Sequence, residues 1–248
     1  MTKGAFNLQL MGRWGNNLFQ VAFALAYCQR HDLEPRIEGD WIGEEIFGLK
    51  LGRFGERFHD RLRNEDSLDP NGEADVEFRG YCQNQKSLIY TRSEAREWFK
   101  IIQPYKDLLA DHLRGLPVVL WHYRDGDFKG YGYPVVGLRS FINATKELVP
   151  GCESCGIVSD EIPGKDPFLP DTMSFLPDFY RLMNAPILFR SNSSFSYWAA
   201  VLGDNNVVFA PIIEGLEGGR EHDRVPFVVG NRPRISMHDF CTDLHLEP

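Results

Sequence analysis

The second half of the chain alternates short apolar runs with helical stretches, and this alternation constrains the fold more than any other feature. Residues 118–121 form a continuous apolar run, which is typical of a strand buried on both faces. Further short apolar runs lie at 156–158, 186–189 and 207–210, and helical stretches separate them. Strand–helix alternation of this kind predicts a parallel sheet with helices on its faces.

The amino terminus begins with the same order of elements. Residues 5–10 alternate apolar and polar side chains, which is typical of a short strand. Gly12 and Gly15 then mark a turn, and Asn16 or Asn17 can cap the helix that follows. This helix is apolar almost all round, which predicts that it is buried.

The middle of the chain carries weaker signals. Residues 32–80 are rich in glycine and charge and show little periodicity, so they are predicted to form loops and short helices. Leu116 and Pro117 mark a junction, which predicts two domains, 1–115 and 116–248. With 248 residues, of which 43% are hydrophobic, the chain can bury a core of ordinary size.

Charge and hydropathy exclude some function classes. The formal net charge of −8 and the pI near 5.4 argue against sequence-independent binding to a nucleic-acid backbone. A local basic pocket for a small phosphorylated ligand remains compatible with this charge. The longest unbroken apolar run, 21–28, is far shorter than the roughly 18 residues that a membrane helix needs.

The expected location is the cytoplasm. The first residues lack the apolar segment of a signal peptide. The five cysteines are an odd number spread over the whole chain, which favours reduced thiols over a disulfide framework.

Candidate site residues follow the predicted strand 118–121. Ligands of parallel sheets bind outside the carboxyl ends of the strands. Arg124 is suited to hold phosphate oxygens, and His122 could donate to a base edge or a phosphate. Asp127 could act as a hydrogen-bond acceptor or a base. The alternative is a network of arginine and aspartate at a surface turn.

Two predicted helix starts could also face a ligand. In the turn 12–17, Gly15 and Asn16 precede a helix whose amino terminus favours an anion. Ser193 and Ser194 can cap a helix and also bind phosphate. The alternatives are a plain turn between strand and helix in the first case and capping alone in the second.

An acidic pair follows another predicted strand. Asp160 and Glu161 come after residues 156–158, where a carboxylate can accept from a ribose hydroxyl or a purine N–H. By themselves these two residues fit a solvated turn better.

Five segments, between residue 7 and about residue 211, are similar to motifs that occur together in one family. They are GRWGNNLFQ at 12–20, like GRxGNQxFQYAFA; FRGYCQNQK at 78–86, like GYxQSxKYF; HYRDGD at 122–127, like HxRRGD; VSDE at 158–161, like FSDD; and DFYRLM with SNSSFSYW at 178–183 and 191–198, like DxxLM with SNSSFSWW. The chain thus resembles the α-1,2-fucosyltransferases, glycosyltransferase family 11.

The resemblance implies an inverting, metal-independent transferase that uses GDP-fucose and a glycan acceptor, with a GT-B-like architecture of two Rossmann-like halves. The more regular parallel sheet is expected in the second, GDP-sugar-binding half, and the first half is expected on the acceptor side. The residues that match family positions for donor binding are Gly15, Asn16, His122, Arg124, Asp160, Glu161, Ser193 and Ser194.

In this interpretation Arg124 holds the pyrophosphate of the donor. Asp127 is the candidate base for the acceptor proton, with Asp125 as the second choice. No cofactor is expected. The segment Asp125-Gly126-Asp127 matches the DxD pattern of metal-dependent transferases, but it is not expected to bind a metal.

Asp125 departs from the family, which has an arginine at this position. If it faced the pyrophosphate, its charge would oppose donor binding. We therefore expect Asp125 to pair with a nearby lysine or arginine, or to contact the acceptor. The alternative functions are a GDP-sugar-binding protein with impaired catalysis, of which Asp125 would be the mark, and a transferase that uses another GDP-sugar.

Overall fold

The computed structural model describes residues 4–55, 62–160 and 166–230, and the chain divides into two compact units. The units are Met1–Ile102 and Gln103–Pro248, so the division falls before the predicted boundary at 115/116. The reason is that the segment Ala110–Leu113, a 3-10 helix, packs against the helix Leu176–Asn184 of the second unit.

The first unit contains a five-stranded sheet in which every pair of neighbours is parallel. The strand order is β3-β2-β1-β5-β4. The strands are β1 (Ala5–Leu8), β2 (Glu34–Ile37), β3 (Gly52–Arg53), β4 (Leu62–Arg63) and β5 (Val76–Phe78), and the helices are α1 (Trp14–His31), α2 (Ile42–Phe47) and α3 (Arg92–Trp98), with a 3-10 helix at Gln85–Ser87.

The prediction of loops and short helices for residues 32–80 was therefore wrong in part, since four of these strands lie there. They escaped detection because they are two to four residues long, too short for an alternating pattern to show.

Helix α1 is buried as predicted, and its aromatic side chains pack on the sheet. The ring of Phe23 lies against those of Phe6 and Phe78, at centroid distances of 6.2 and 5.1 Å. The predicted cap was wrong: Arg13 is the residue before the helix, and no side chain caps it. Asn17 lies inside the helix, where it donates to the carbonyl of Met11.

The second unit contains the other five-stranded sheet, in the order β12-β10-β9-β6-β8. All its pairs are parallel except β10 with β12. The strands of this unit are β6 (Val119–Tyr123), β7 (Val135–Val136), β8 (Cys155–Ser159), β9 (Ile187–Phe189), β10 (Val207–Pro211), β11 (Glu221–His222) and β12 (Phe227–Val229), where β7 and β11 form a separate parallel pair. The helices are α4 (Gln103–Leu109), α5 (Gly126–Gly130), α6 (Leu138–Leu148), α7 (Leu176–Asn184) and α8 (Ser194–Leu202), with 3-10 helices at Ala110–Leu113 and Asp171–Met173.

These elements confirm the α/β fold with parallel sheets. The apolar runs in the second half of the sequence are the strands β6, β8, β9 and β10. Three of them are five residues long, so their patterns were long enough to recognise. Within the described part of the chain, no helix is long and apolar enough to cross a lipid bilayer.

The register of the second sheet determines which residues meet at its carboxyl edge. Trp121 of β6 lies beside Phe189 of β9, and Tyr123 lies beside Ser159 of β8. The segments that follow β6, β8 and β9 therefore begin at the same edge. Below it, Val119, Trp121 and Phe189 belong to one hydrophobic core that also includes side chains of α6 and β12.

Candidate functional site

His122 is the most deeply placed of the predicted site residues. It lies within β6 with 2% of its surface exposed, and a hydrogen bond of 2.8 Å joins its Nδ1 to the Oγ of Ser191. Burial, and then the charges of Arg124 and Arg190, lower the pKa of His122 to about 3. The imidazole is therefore neutral near pH 7, and it links β6 to the turn after β9.

Arg124 follows β6 and lies between two carboxylates. Its Nη2 donates to Oδ1 of Asp127 at 2.8 Å, and its Nε lies 3.3 Å from Oδ2 of Asp160. The structure thus brings together Arg124, Asp127 and Asp160. The buried Nε of Arg124 and Oδ1 of Asp160 nevertheless make no hydrogen bond. Such atoms are normally satisfied, so this cluster has bonding capacity for a ligand.

Gly126 makes this cluster possible, and the sequence analysis passed over it. A Cβ added at Gly126 would overlap the carboxylate of Asp160. A side chain at residue 126 would therefore displace the carboxylate of Asp160, which follows β8, from its place beside Arg124. A glycine directly after the candidate arginine was the available signal, since glycine permits close approach of other groups to the backbone.

Asp125 is paired locally, which is one of the two arrangements expected from the sequence. It accepts hydrogen bonds from Nζ of Lys129 at 2.9 Å and from the hydroxyl of Tyr123 at 3.2 Å. The hydrogen bond with Asp125 raises the pKa of Lys129. Lys129 also lies 3.6 Å from Glu221. The charge of Asp125 is thus compensated within the second unit.

The serines after β9 form the start of α8. Ser193 is the residue before the helix, and its Oγ accepts from the backbone N–H of Phe195 at 3.2 Å. The predicted capping role of Ser193 is confirmed. Ser194 is the first residue of α8. Glu161, the remaining candidate in this half, lies outside the described residues.

Arg190 was missed by the sequence analysis. It directly follows β9, is 1% exposed and donates from Nη1 to the carbonyl of Ser191 at 3.2 Å. Its guanidinium lies over the ring of Tyr197 at 5.5 Å. An arginine that extends an apolar run at a carboxyl end was the signal that could have identified it.

The candidates in the first unit are held by amide hydrogen bonds. Gly15 is buried in the first turn of α1, and Oδ1 of Asn16 accepts from Nε2 of Gln83 at 2.8 Å. Gly12 has a φ of +76°, and a Cβ there would overlap the amide of Asn16. The turn 12–17 is thus connected to the loop that follows β5.

Within residues 4–55, 62–160 and 166–230, no three histidine, cysteine, aspartate or glutamate side chains are grouped so that they could hold a metal ion.

Comparison with known proteins identifies the fold. No family model matches the chain, and no curated protein matches it. Among solved structures, the chain is similar to the α-1,6-fucosyltransferase NodZ soaked with GDP-fucose, with a TM-score of 0.57, 13% identity and coverage of 92% of this chain and 99% of that one. A structure of NodZ from Bradyrhizobium gives a TM-score of 0.58 at the same identity and coverage.

At this identity the likeness establishes the fold. The chain has the GT-B-like α/β fold of NodZ, with parallel sheets. The structural neighbour is named an α-1,6-fucosyltransferase, whereas the motifs resemble those of α-1,2 enzymes. The comparison therefore supports the shared fold, and family 11 stays a resemblance of motifs.

Proposed function

We propose that the protein is an inverting glycosyltransferase that moves fucose from GDP-fucose to a hydroxyl group of a glycan. The observation that carries this proposal is the position of Arg124 at the carboxyl edge of a parallel sheet, between Asp127 and Asp160. A guanidinium at this place is suited to a diphosphate. The NodZ structures with GDP-fucose and with GDP support the choice of donor for a chain of this fold.

The donor would be held mainly by the second unit. Arg124 binds the diphosphate, and the amino terminus of α8 with Ser193 and Ser194 adds backbone donors. Asp160 accepts from the ribose or the base, and Glu161 has the same assignment. His122 contributes to donor binding indirectly, because its hydrogen bond to Ser191 fixes the turn before α8.

The resemblance assigns Gly15 and Asn16, in the first unit, to the donor sugar and its phosphate. We retain this assignment as a proposal. It is supported by the amide contact between Asn16 and Gln83, which fixes the orientation of the Asn16 side chain in the turn 12–17.

The reaction requires charge stabilisation and one proton transfer. The acceptor oxygen attacks the anomeric carbon from the face opposite the leaving group, the bond from this carbon to the phosphate oxygen breaks, and GDP departs with the bonding electrons. Arg124 stabilises the charge on GDP. Its Nη2 turns from Asp127 to the diphosphate, and Asp127 is the proposed acceptor of the proton of the acceptor hydroxyl. Asp125 is the weaker candidate because Lys129 and Tyr123 already occupy it.

We further propose that the enzyme needs no metal. The carboxylates of Asp125 and Asp127 are each paired with a different cation, Lys129 and Arg124, so they do not act as one ligand pair. Turnover with GDP-fucose is therefore expected to be unchanged in excess EDTA. Loss of activity in EDTA that magnesium or manganese restores would contradict the role of Arg124 as the main counter-charge.

The proposed linkage is α-1,2, and it rests on the motif resemblance alone. Analysis of the product by NMR would distinguish it from an α-1,6 linkage. The proposed location is the cytoplasm, which is supported by the free thiols of Cys28, Cys82, Cys152 and Cys155. Cell fractionation tests that proposal.

Incubation with GDP-fucose, with and without a glycan mixture, tests the function. Fucosylated product is the expected result. Donor binding without any transfer would favour a GDP-sugar-binding protein with impaired catalysis. Turnover only with a different GDP-sugar would favour a transferase that uses another donor. Compensation of Asp125 by Lys129 argues against the impaired protein, because the carboxylate that marked it has its own partner.

A further inference from the structure

Arg190 is an arginine that the proposed mechanism has not yet used. The last paired residues of β6 and β9 are Trp121 and Phe189, so Arg190 lies one position further along, beside His122. Its Nη1 donates to the carbonyl of Ser191, which begins the turn 191–194. The guanidinium is thus placed directly behind the residues that start α8.

A buried arginine is normally paired with a carboxylate, and Arg190 is not paired in this way within the described residues. In the described parts of the chain, no carboxylate lies within ion-pair distance of its guanidinium, and its buried Nε makes no hydrogen bond. Arg190 is 1% exposed, and burial lowers its pKa only to about 10, so it stays charged near pH 7. A buried, unpaired charge is costly to folding.

The other charges at this edge show what Arg190 compensates. Arg124 is shared by two carboxylates, Asp127 and Asp160, and Lys129 is occupied by Asp125. These five side chains carry two positive and three negative charges, and Arg190 brings their sum to zero. Glu221, 3.6 Å from Lys129, adds one more negative charge. Without Arg190 a diphosphate would be repelled more strongly by such an edge, especially where burial reduces screening.

We propose that Arg190 is a positioning residue for a nucleoside diphosphate. It acts through the carbonyl of Ser191, which it holds, and through its positive charge, which has no ion-pair partner among the described residues and makes the start of α8 less repulsive to the diphosphate. It does not touch the ligand, because it is buried beneath the turn. The inference rests on the proposed function, in that the diphosphate is that of the GDP-sugar donor.

Three variants separate the two actions of Arg190. Arg190→Lys keeps the charge, Arg190→Gln keeps a donor for the Ser191 carbonyl without the charge, and Arg190→Met removes both. Each variant is titrated with GDP and with guanosine, which lacks the diphosphate. The affinity ratio of GDP to guanosine measures the contribution of the diphosphate and cancels changes that affect the nucleoside site.

We expect Arg190→Met and Arg190→Gln to lower GDP affinity on the order of tenfold with guanosine affinity unchanged. Arg190→Lys is expected to retain most of the ratio. An unchanged ratio in the Gln and Met variants would overturn the inference, and so would an equal loss for both ligands, which indicates a structural role. If the Met variant does not fold, Gln and Lys answer the same question.

The thermal midpoint of the free protein adds an independent readout. Because an unpaired buried charge is removed, the midpoint of Arg190→Met is expected to equal or exceed that of the wild type. A wild-type protein that binds GDP but transfers no fucose would end the proposed function and leave this inference intact. A wild-type protein that does not bind GDP would end both.

Discussion

The two candidate regions differ in how their polar groups are satisfied. In the first unit, the turn 12–17 is held by neutral amides: Gln20 bonds both the N–H and the carbonyl of Met11, at 2.8 Å each, and Asn16 bonds Gln83. At the carboxyl edge of the second sheet the groups are charged, and buried atoms of Arg124 and Arg190 lack hydrogen bonds.

This difference indicates different ligand chemistry. Amides that bond one another need no ion and offer hydrogen bonds suited to hydroxyl groups. The unsatisfied guanidinium of Arg124 is stabilised by an anion that accepts from it, because hydrogen bonds from charged donors to charged acceptors are the strong ones. The buried charge of Arg190 favours an anion nearby without touching it. The second edge is therefore the one whose binding energy is expected to depend on ligand charge.

Replacement of Arg124 by alanine is the strongest test of whether binding at the second edge depends on ligand charge. Arg124→Ala is expected to weaken GDP binding and transition-state stabilisation by about 2–4 kcal/mol. Folding is expected to persist because Arg124 lies after the end of β6. Calorimetric titration with GDP and a transfer assay measure the effect. Arg114→Ala is the control, since Arg114 is exposed and pairs with Asp111 in a surface contact. Near-wild-type turnover in Arg124→Ala would exclude the proposed diphosphate contact.

The pH dependence of stability is expected to report on the second edge. His122 has a folded pKa of about 3 against an ordinary value of 6.5, so the unfolded chain binds more protons between these values. Stability therefore rises with pH in this window and falls as pH decreases below 6.5. We expect a loss of about 1.5 kcal/mol between pH 6.5 and about pH 5.

Urea unfolding at several pH values measures this loss. His122→Asn keeps a polar side chain for Ser191 and does not titrate, so its stability is expected to be flatter over the same range. Identical slopes for the two proteins would show that the imidazole is protonated normally in the folded state.

Whether a feature of the fold or of the site could be predicted from the sequence depended on how far apart in the chain the interacting residues lie. The strand β6 was recognisable because its whole apolar run is buried, whereas β3 and β4 have two residues each and carry no pattern. Asn17 was mistaken for a cap because its amide bonds a carbonyl in the preceding turn instead.

The edge of the second sheet was predicted in outline. The position of Arg124 after a buried strand identified the edge, and its partner Asp127 lies three residues away. The contact with Asp160 and the requirement for Gly126 depend on the pairing of β6 with β8, which no local pattern reveals. Arg190 was missed for the same reason, since its importance depends on the carboxylates that other strands do or do not bring near it.

Gly126→Ala tests the role of the Asp160 carboxylate by displacing it. A Cβ at residue 126 would displace Asp160 from Arg124, whereas the same change at Gly130, at the other end of α5, meets open space. Gly126→Ala is expected to lower donor affinity about tenfold, in line with the loss of one well-placed polar contact of about 1.4 kcal/mol. Gly130→Ala is expected to leave it unchanged. Equal affinities in the two variants would show that Asp160 has no part in binding.

Asp125→Arg gives the smallest expected change and tests whether the family residue can be restored here. The added positive charge favours a diphosphate, but the substitution also removes the partner of Lys129 and places like charges together. We expect these effects to offset, so that GDP-fucose affinity is unchanged or reduced. Asp125→Asn, which removes only the charge, is the control. A gain of tenfold or more in GDP-fucose affinity for Asp125→Arg, measured by titration, would contradict local compensation and favour a weakened enzyme. No gain in either variant would mean that Lys129 already neutralises the charge of Asp125. The attraction of this edge for a diphosphate would then depend on Arg124 and Arg190.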